Sequence, residues 1–227
     1  MPEITIKAKD GGSFMAYQSG SGGPGIVLIQ EIFGVNKVMR DLADGYAKQG
    51  YTVLCPDLFW RQEPGIQITD KTQAEWDKAF KLFQGFDQAK GVEDLIATLA
   101  HLRTLPGAGK AGCVGYCLGG QLAYLMATRS DVDCSVSYYG VGIDGLLDEA
   151  KNIRKPLLMH IAEKDRFVPA EAQAKIKQTL SGNPLVTIYT YAGQDHAFAR
   201  VGGEHYNKEA ADLANERTAE FFRKHLA

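Results

Sequence analysis

The sequence predicts an α/β protein: a mainly parallel sheet with helices on both faces and an antiparallel hairpin at its N-terminal edge. Three observations lead there. Short apolar runs alternate with amphipathic ones along 227 residues, which is the order of strands and crossover helices in a parallel sheet. The runs are apolar throughout instead of at every second position, as strands buried on both faces require. One of them leads into Gly115-Tyr116-Cys117-Leu118-Gly119-Gly120, a glycine-flanked strand-to-helix turn.

In chain order, residues 3–18 alternate apolar and polar around Asp10-Gly11-Gly12, the pattern of an antiparallel hairpin. Residues 26–29 form the first buried strand, residues 38–49 a helix with apolar positions three and four apart, and residues 52–55 the next strand. Residues 60–86 are a long aromatic-rich excursion between a strand and a helix, expected to cover the site. A helix over 90–104 precedes the strand 112–114, which feeds the turn at Cys117 and a helix over 119–129. Strands at 134–138, 156–160 and 185–189 alternate with helices at 170–180 and 207–225. No repeat, low-complexity tract or linker interrupts the pattern. The length suits one large α/β domain as well as two small ones, and one domain over residues 1–227 is expected.

Composition narrows the function. A formal net charge of -2 and no run of like charges offer no basic face, so neither nucleic acid nor anionic lipid is an expected partner. No apolar run approaches the roughly 18 residues of a membrane span, and Met1-Pro2-Glu3-Ile4-Thr5 has no basic segment leading into an apolar one. A cytoplasmic enzyme is the expectation. Cys55, Cys113, Cys117 and Cys134 read as free thiols in a chain without a secretory signal, three of them in strands.

Glycine spacing around Cys117 is that of a nucleophile elbow, where small neighbours let the backbone pinch and lift one side chain above the sheet. In hydrolases built this way the order along the chain is nucleophile, acid, histidine, each after a later strand. Asp165 follows the strand 156–160, and His196 follows the strand 185–189. His196 would take the thiol proton and return it to the leaving group, while Asp165 fixes the imidazole tautomer. The oxyanion would rest against the backbone N–H of Leu118 and that of Ile32, in the loop after residues 26–29. The helix beginning at Leu118 turns its positive end toward Cys117, which favours the thiolate.

Each assignment has a rival. Cys55, Cys113 and Cys134 read as small apolar core residues. His160 ends an apolar strand but precedes Asp165, which reverses acid and base; Glu163 and Asp195 read as solvated loop carboxylates or turn formers. Cys113 and Cys117 lack the C-x-x-C spacing of a zinc pair, so neither a metal nor another cofactor is expected.

The chain resembles the dienelactone hydrolase family, the cysteine branch of the α/β-hydrolase fold, over nearly its whole length. The likeness is carried by Gln30-Glu31-Ile32-Phe33-Gly34-Val35-Asn36, Cys55-Pro56-Asp57-Leu58, the elbow itself, Tyr138-Tyr139-Gly140, Phe167-Val168-Pro169 and His196-Ala197-Phe198-Ala199-Arg200. Family nucleophile, acid and base match Cys117, Asp165 and His196. The resemblance further implies that Glu31 hydrogen-bonds the resting thiol and takes its proton once substrate binds. It implies hydrolysis of a dienelactone (4-carboxymethylenebut-2-en-4-olide) to maleylacetate by a monomer. Arg200 is placed to grip the substrate carboxylate with two parallel hydrogen bonds, and Tyr139 joins it at the pocket. Where the family carries a second arginine, a tyrosine, a tryptophan and a serine, this chain has Trp76, Phe80, Phe83 and Ala197, so the pocket is less polar.

Sulfur restricts the substrate further. A thiolate is expelled from a tetrahedral intermediate far more readily than an amide nitrogen or simple alkoxide, so turnover favours small activated esters and lactones. An enol lactone qualifies because it releases a conjugated enolate. Another small ester or thioester is the alternative, and a non-catalytic hydrolase-fold binding protein is the reading from a different class.

Overall fold

The computed structural model describes residues 3–227. Two compact units divide the chain, Met1–Ala111 and Gly112–Ala227. In the first, β1 (Glu3–Lys7) and β2 (Ser13–Ser19) form the N-terminal hairpin, with Glu3 opposite Tyr17 and Lys7 opposite Ser13. β2 then pairs antiparallel with β4 (Thr52–Pro56), and β4 pairs parallel with β3 (Gly25–Ile29), giving the order β1-β2-β4-β3. Every residue of β3 and β4 is buried, which is why both read as unbroken apolar runs.

Helix α1 (Lys37–Lys48) starts where Asn36 accepts the N–H of Met39 with its side chain, at 3.2 Å. The aromatic-rich excursion contains α2 (Gln73–Gln84), capped by Thr72, and is followed by α3 (Gln88–Leu102), capped by Asp87. Asp94 on α3 ties the excursion down. Its buried carboxylate accepts Trp60 Nε1–H at 2.9 Å and the Arg61 guanidinium, which reaches on to Asp10 at 2.8 Å. A buried carboxylate is tolerated because it is paired and hydrogen-bonded.

The second unit is built on four parallel strands in the order β5 (Ala111–Tyr116), β6 (Ser135–Tyr138), β7 (Leu157–Ala162) and β8 (Val186–Tyr191). Helices α4 (Leu118–Arg129), α5 (Ala170–Leu180) and α6 (Lys208–Leu226) connect and follow them, with short 3₁₀ turns at Ile143–Gly145 and Leu147–Asn152. α4 is buried on nearly every side, from Leu122 through Thr128, so its sequence is apolar all round. Because β5, β7 and β8 run parallel, Cys117, Asp165 and His196 all emerge beyond carboxyl ends of strands.

Two expectations need correction. β8 is only half buried, because it ends the strand order and lacks a neighbour on its outer side among the described residues. Cys134 stops just short of β6, although its carbonyl accepts the Cys113 N–H at 3.0 Å. Among the described residues no helix is long and apolar enough to cross a membrane.

Candidate active site

Cys117 occupies the single residue between β5 and α4, with φ 58° and ψ -115°. A side chain is rarely found in that conformation, so the surroundings must hold it there. The Cys117 N–H donates to the Tyr138 carbonyl at 3.1 Å, and the Cys117 carbonyl accepts from Gly120 and Gln121 at 3.0 and 3.2 Å. The flanking glycines are sterically required. A Cβ on Gly115 would stand 1.9 Å from the Gly119 carbonyl oxygen, and one on Gly120 would stand 2.4 Å from that of Tyr138. Cys117 is therefore lifted out of the core and is part-exposed, whereas Cys55, Cys113 and Cys134 are buried. Burial raises the thiol of Cys113 to about 12 and raises Cys55 and Cys134 as well, which leaves all three protonated and unreactive.

Asp165 and His196 meet above the strand ends. Asp165 Oδ2 is 2.8 Å from His196 Nδ1, and Asp165 Oδ1 accepts the N–H groups of Phe167 and Val168 at 2.8 and 3.2 Å. Both side chains are buried. The imidazole is clamped edge-on between Phe167 and Tyr139, with ring centroids 4.9 and 5.1 Å away. Its second nitrogen, Nε2, is the one left for the Cys117 thiol. Burial alone would lower the basicity of the ring, but the charge interaction with Cys117 and the hydrogen bonds to Asp165 and Cys117 outweigh it and raise the His196 pKa to about 10.

Tyr139 and Ala197 share the backbone peculiarity of Cys117. Among the described residues these three are the non-glycine residues with positive φ, at 37° and 62° for Tyr139 and Ala197. The Tyr139 N–H is held by the His160 carbonyl at 2.8 Å, and Ala197 opens the turn in which its carbonyl accepts the N–H of Arg200 at 2.9 Å. Strain confined to one small region marks a site that the rest of the fold over-determines.

The rivals fall away on their contacts. His160 uses both ring nitrogens inside the core, Nδ1 with Tyr191 Oη at 2.8 Å and Nε2 with Thr218 Oγ1 at 2.9 Å, and burial lowers its pKa to about 3. Asp195 accepts the His196 N–H at 2.6 Å, and Glu163 accepts the Gly193 N–H at 2.7 Å, so each shapes a turn. Sequence reasoning missed Phe167 as a wall of the imidazole site. Its place two residues after Asp165, in a loop short enough to turn N–H groups back on the carboxylate, was the available signal.

In the first unit, Glu31 and Ile32 lie in the loop after β3, and both are buried. Gln30 fixes that loop, accepting the Leu58 N–H at 3.0 Å and donating to the Glu31 carbonyl at 3.1 Å. On α2, Trp76 packs edge-on against Phe33 and stacks on Phe80, with centroids 5.1 and 5.5 Å apart, and donates its Nε1–H to the Asp70 carbonyl. Phe80 and Phe83 remain 38% and 37% exposed, unusual for phenylalanine. Among the described residues no cluster of three or more His, Cys, Asp or Glu is arranged to hold a metal ion.

A profile of the dienelactone hydrolase family matches residues 12–226. The chain is 57% identical over 233 residues to a protein of Azospirillum brasilense, with all of both chains covered. It is 40% identical over 222 residues to a carboxymethylenebutenolidase of Pseudomonas putida, covering 96% of this chain and 94% of that one. A crystal structure from Klebsiella pneumoniae superposes with a TM-score of 0.85 at 26% identity, over 98% of each chain. The eight-stranded, mostly parallel architecture with its antiparallel N-terminal strands is that of the α/β hydrolases.

Proposed function

The chain belongs to the dienelactone hydrolase family, and on that footing we propose that it is a cysteine hydrolase of small activated esters or lactones, acting on dienelactone to give maleylacetate. The carrying observation is the pairing of Asp165 with His196 at 2.8 Å, with the remaining ring nitrogen available to a thiol lifted out of the core at an elbow. The activity in the name of the Pseudomonas putida relative supports the substrate. The family profile, running across both units, supports one functional domain over residues 1–227.

In this reading Cys117 Sγ attacks the lactone carbonyl carbon, and the oxyanion is met by the N–H groups of Leu118 and Ile32. Collapse expels the enolate oxygen and leaves an acyl thioester. His196, protonated at the start, gives its proton to the leaving group and then takes one from water as that water attacks the thioester; the expelled thiolate recovers its proton from Glu31, and the second carboxylate is released. Glu31 is the resting partner of the thiol and takes its proton as substrate enters. Its burial in the loop beside Ile32 supports that role. Arg200 grips the substrate carboxylate.

A second reading rests on the α2 aromatics. With Trp76 stacked on Phe80 and no second arginine there, a small neutral ester or a thioester also suits the pocket. Assays with dienelactone isomers beside p-nitrophenyl acetate, before and after thiol alkylation, test both readings. Alkylation and Cys117→Ala are each expected to remove at least about a thousandfold of kcat. Turnover that survives them ends the cysteine mechanism, and activity confined to neutral esters favours the second reading.

A further inference from the structure

A second cavity lies in the Gly112–Ala227 unit, at the opposite ends of β7 and β8 from Asp165 and His196. Its volume is about 280 Å³, with walls from Pro156 and Leu158 at the start of β7, Leu185 and Tyr189 on the β8 side, and Phe221 on α6. That is just below the usual range for small-ligand pockets, which begins at about 300 Å³. Arg217 stands at its inner side. The Arg217 guanidinium stacks over Tyr189 at 3.9 Å from the ring centroid, and Nη1 donates to Tyr191 Oη at 3.2 Å. Stacking and one hydrogen bond fix the plane of the fork and leave its other N–H donors free for an acceptor in the cavity.

That charge is not held in an ion pair. Among the described residues neither Arg217 nor Lys224, the second cation lining the cavity, takes part in an ion pair; Glu220, the lining carboxylate, is exposed and bonded to neither. Behind Arg217 lies a neutral network: Tyr191 Oη bonds His160 Nδ1, and His160 Nε2 bonds Thr218, which bonds Tyr138 Oη at 2.7 Å. Each member is satisfied by the next, so the network supplies dipoles and no counter-charge. A preset guanidinium among proline, leucine and aromatic walls matches a ligand with one carboxylate and a small apolar or unsaturated body.

We propose that this cavity is a binding site for a small organic carboxylate, separate from the site at Cys117, with Arg217 as its anchor. Benzoate is a suitable probe, with benzyl alcohol as its neutral counterpart and inorganic phosphate as an anion without an apolar body. The Cys117-alkylated full-length chain is used, so that occupancy of the other site is blocked. Backbone amides of β8 and α6, followed by NMR, are expected to shift with benzoate and to saturate on the order of 1 mM, the affinity of one charged contact and a partly open wall. Arg217→Gln is expected to weaken binding about tenfold or more, and Arg217→Lys to weaken it less. Benzyl alcohol and phosphate are expected to leave these amides unmoved at the same concentration.

Absence of shifts in β8 and α6 would overturn the proposal. So would equal binding of benzyl alcohol, because the charge would then go unread, or equal binding of phosphate, because the apolar wall would. Benzoate binding undiminished in a folded Arg217→Gln chain would remove Arg217 as the anchor. If that variant fails to fold, the three-ligand comparison in the unsubstituted protein still decides.

Discussion

Asp165 Oδ2 lies 2.8 Å from His196 Nδ1 while the other oxygen of the same carboxylate takes the N–H groups of Phe167 and Val168. The carboxylate is thereby pinned at both ends. It keeps a proton on Nδ1 and leaves Nε2 as the nitrogen whose proton can be exchanged, so the orientation of the ring is set by the fold alone.

Asp165→Asn tests that relationship. The amide can present its NH₂ group to Nδ1 and stabilise the wrong tautomer without changing the shape of the loop. Steady-state assays should show kcat lower by about 10³–10⁴, with the circular dichroism spectrum unchanged. A loss of less than about tenfold would mean that Asp165 does not orient the ring.

Two buried histidines should set opposite pH limits on stability. His196 binds its proton more tightly folded, at about 10, than its ordinary value of 6.5, so its contribution is whole below pH 6.5 and is lost as pH rises through about 10. His160 is held neutral down to about 3. The unfolded chain takes up a proton there that the folded chain refuses, and stability falls by roughly 1.4 kcal/mol per pH unit as pH drops from about 6.5 toward 3. Urea midpoints across pH should show Cys117→Ala moving the alkaline limb to lower pH, since Cys117 is a main cause of the raised His196 value. His160→Asn should flatten the acid limb.

Gly120→Ala should be among the most damaging small substitutions in the chain. Its Cβ would meet the Tyr138 carbonyl oxygen at 2.4 Å and Gly140 Cα at 2.8 Å, both backbone atoms that cannot step aside. A loss of about 3 kcal/mol is expected in denaturant titrations. Gly109→Ala, whose Cβ would meet nothing within 4 Å, is the control, with a change of roughly 0.5 kcal/mol or less.

Trp76→Arg addresses substrate choice. Replacing the indole that stacks on Phe80 by a second guanidinium should raise kcat/KM for dienelactone relative to p-nitrophenyl acetate by about tenfold or more, the worth of one charged hydrogen bond. An unchanged ratio would show that α2 does not contact the substrate carboxylate.

How much was legible in the sequence depended on whether a feature is local. β3 and β4 are buried on both faces and read as continuous apolar runs, and the elbow announced itself because only glycine tolerates the approach of the backbone at 115 and 120. β8 read the same way and is half exposed, because its place at the end of the strand order is a property of the sheet and leaves no trace in five residues of β-branched and aromatic sequence. The 3₁₀ turns at Ile143–Gly145 and Leu147–Asn152 were likewise unread, being too short for a periodic pattern.

Apolar periodicity, glycine sterics and parallel-strand topology were enough to read the fold class, the elbow at Cys117 and the places of Asp165 and His196 after later strands. The surroundings that separate the two buried histidines are visible in the folded chain alone. His160 and His196 each follow or end a strand, but Tyr191 and Thr218 saturate one ring, while the other is oriented by Asp165 and clamped by Phe167 and Tyr139. Those partners lie 29 to 58 positions away along the chain, and a side chain's proton affinity is set by such neighbours and not by its own sequence context.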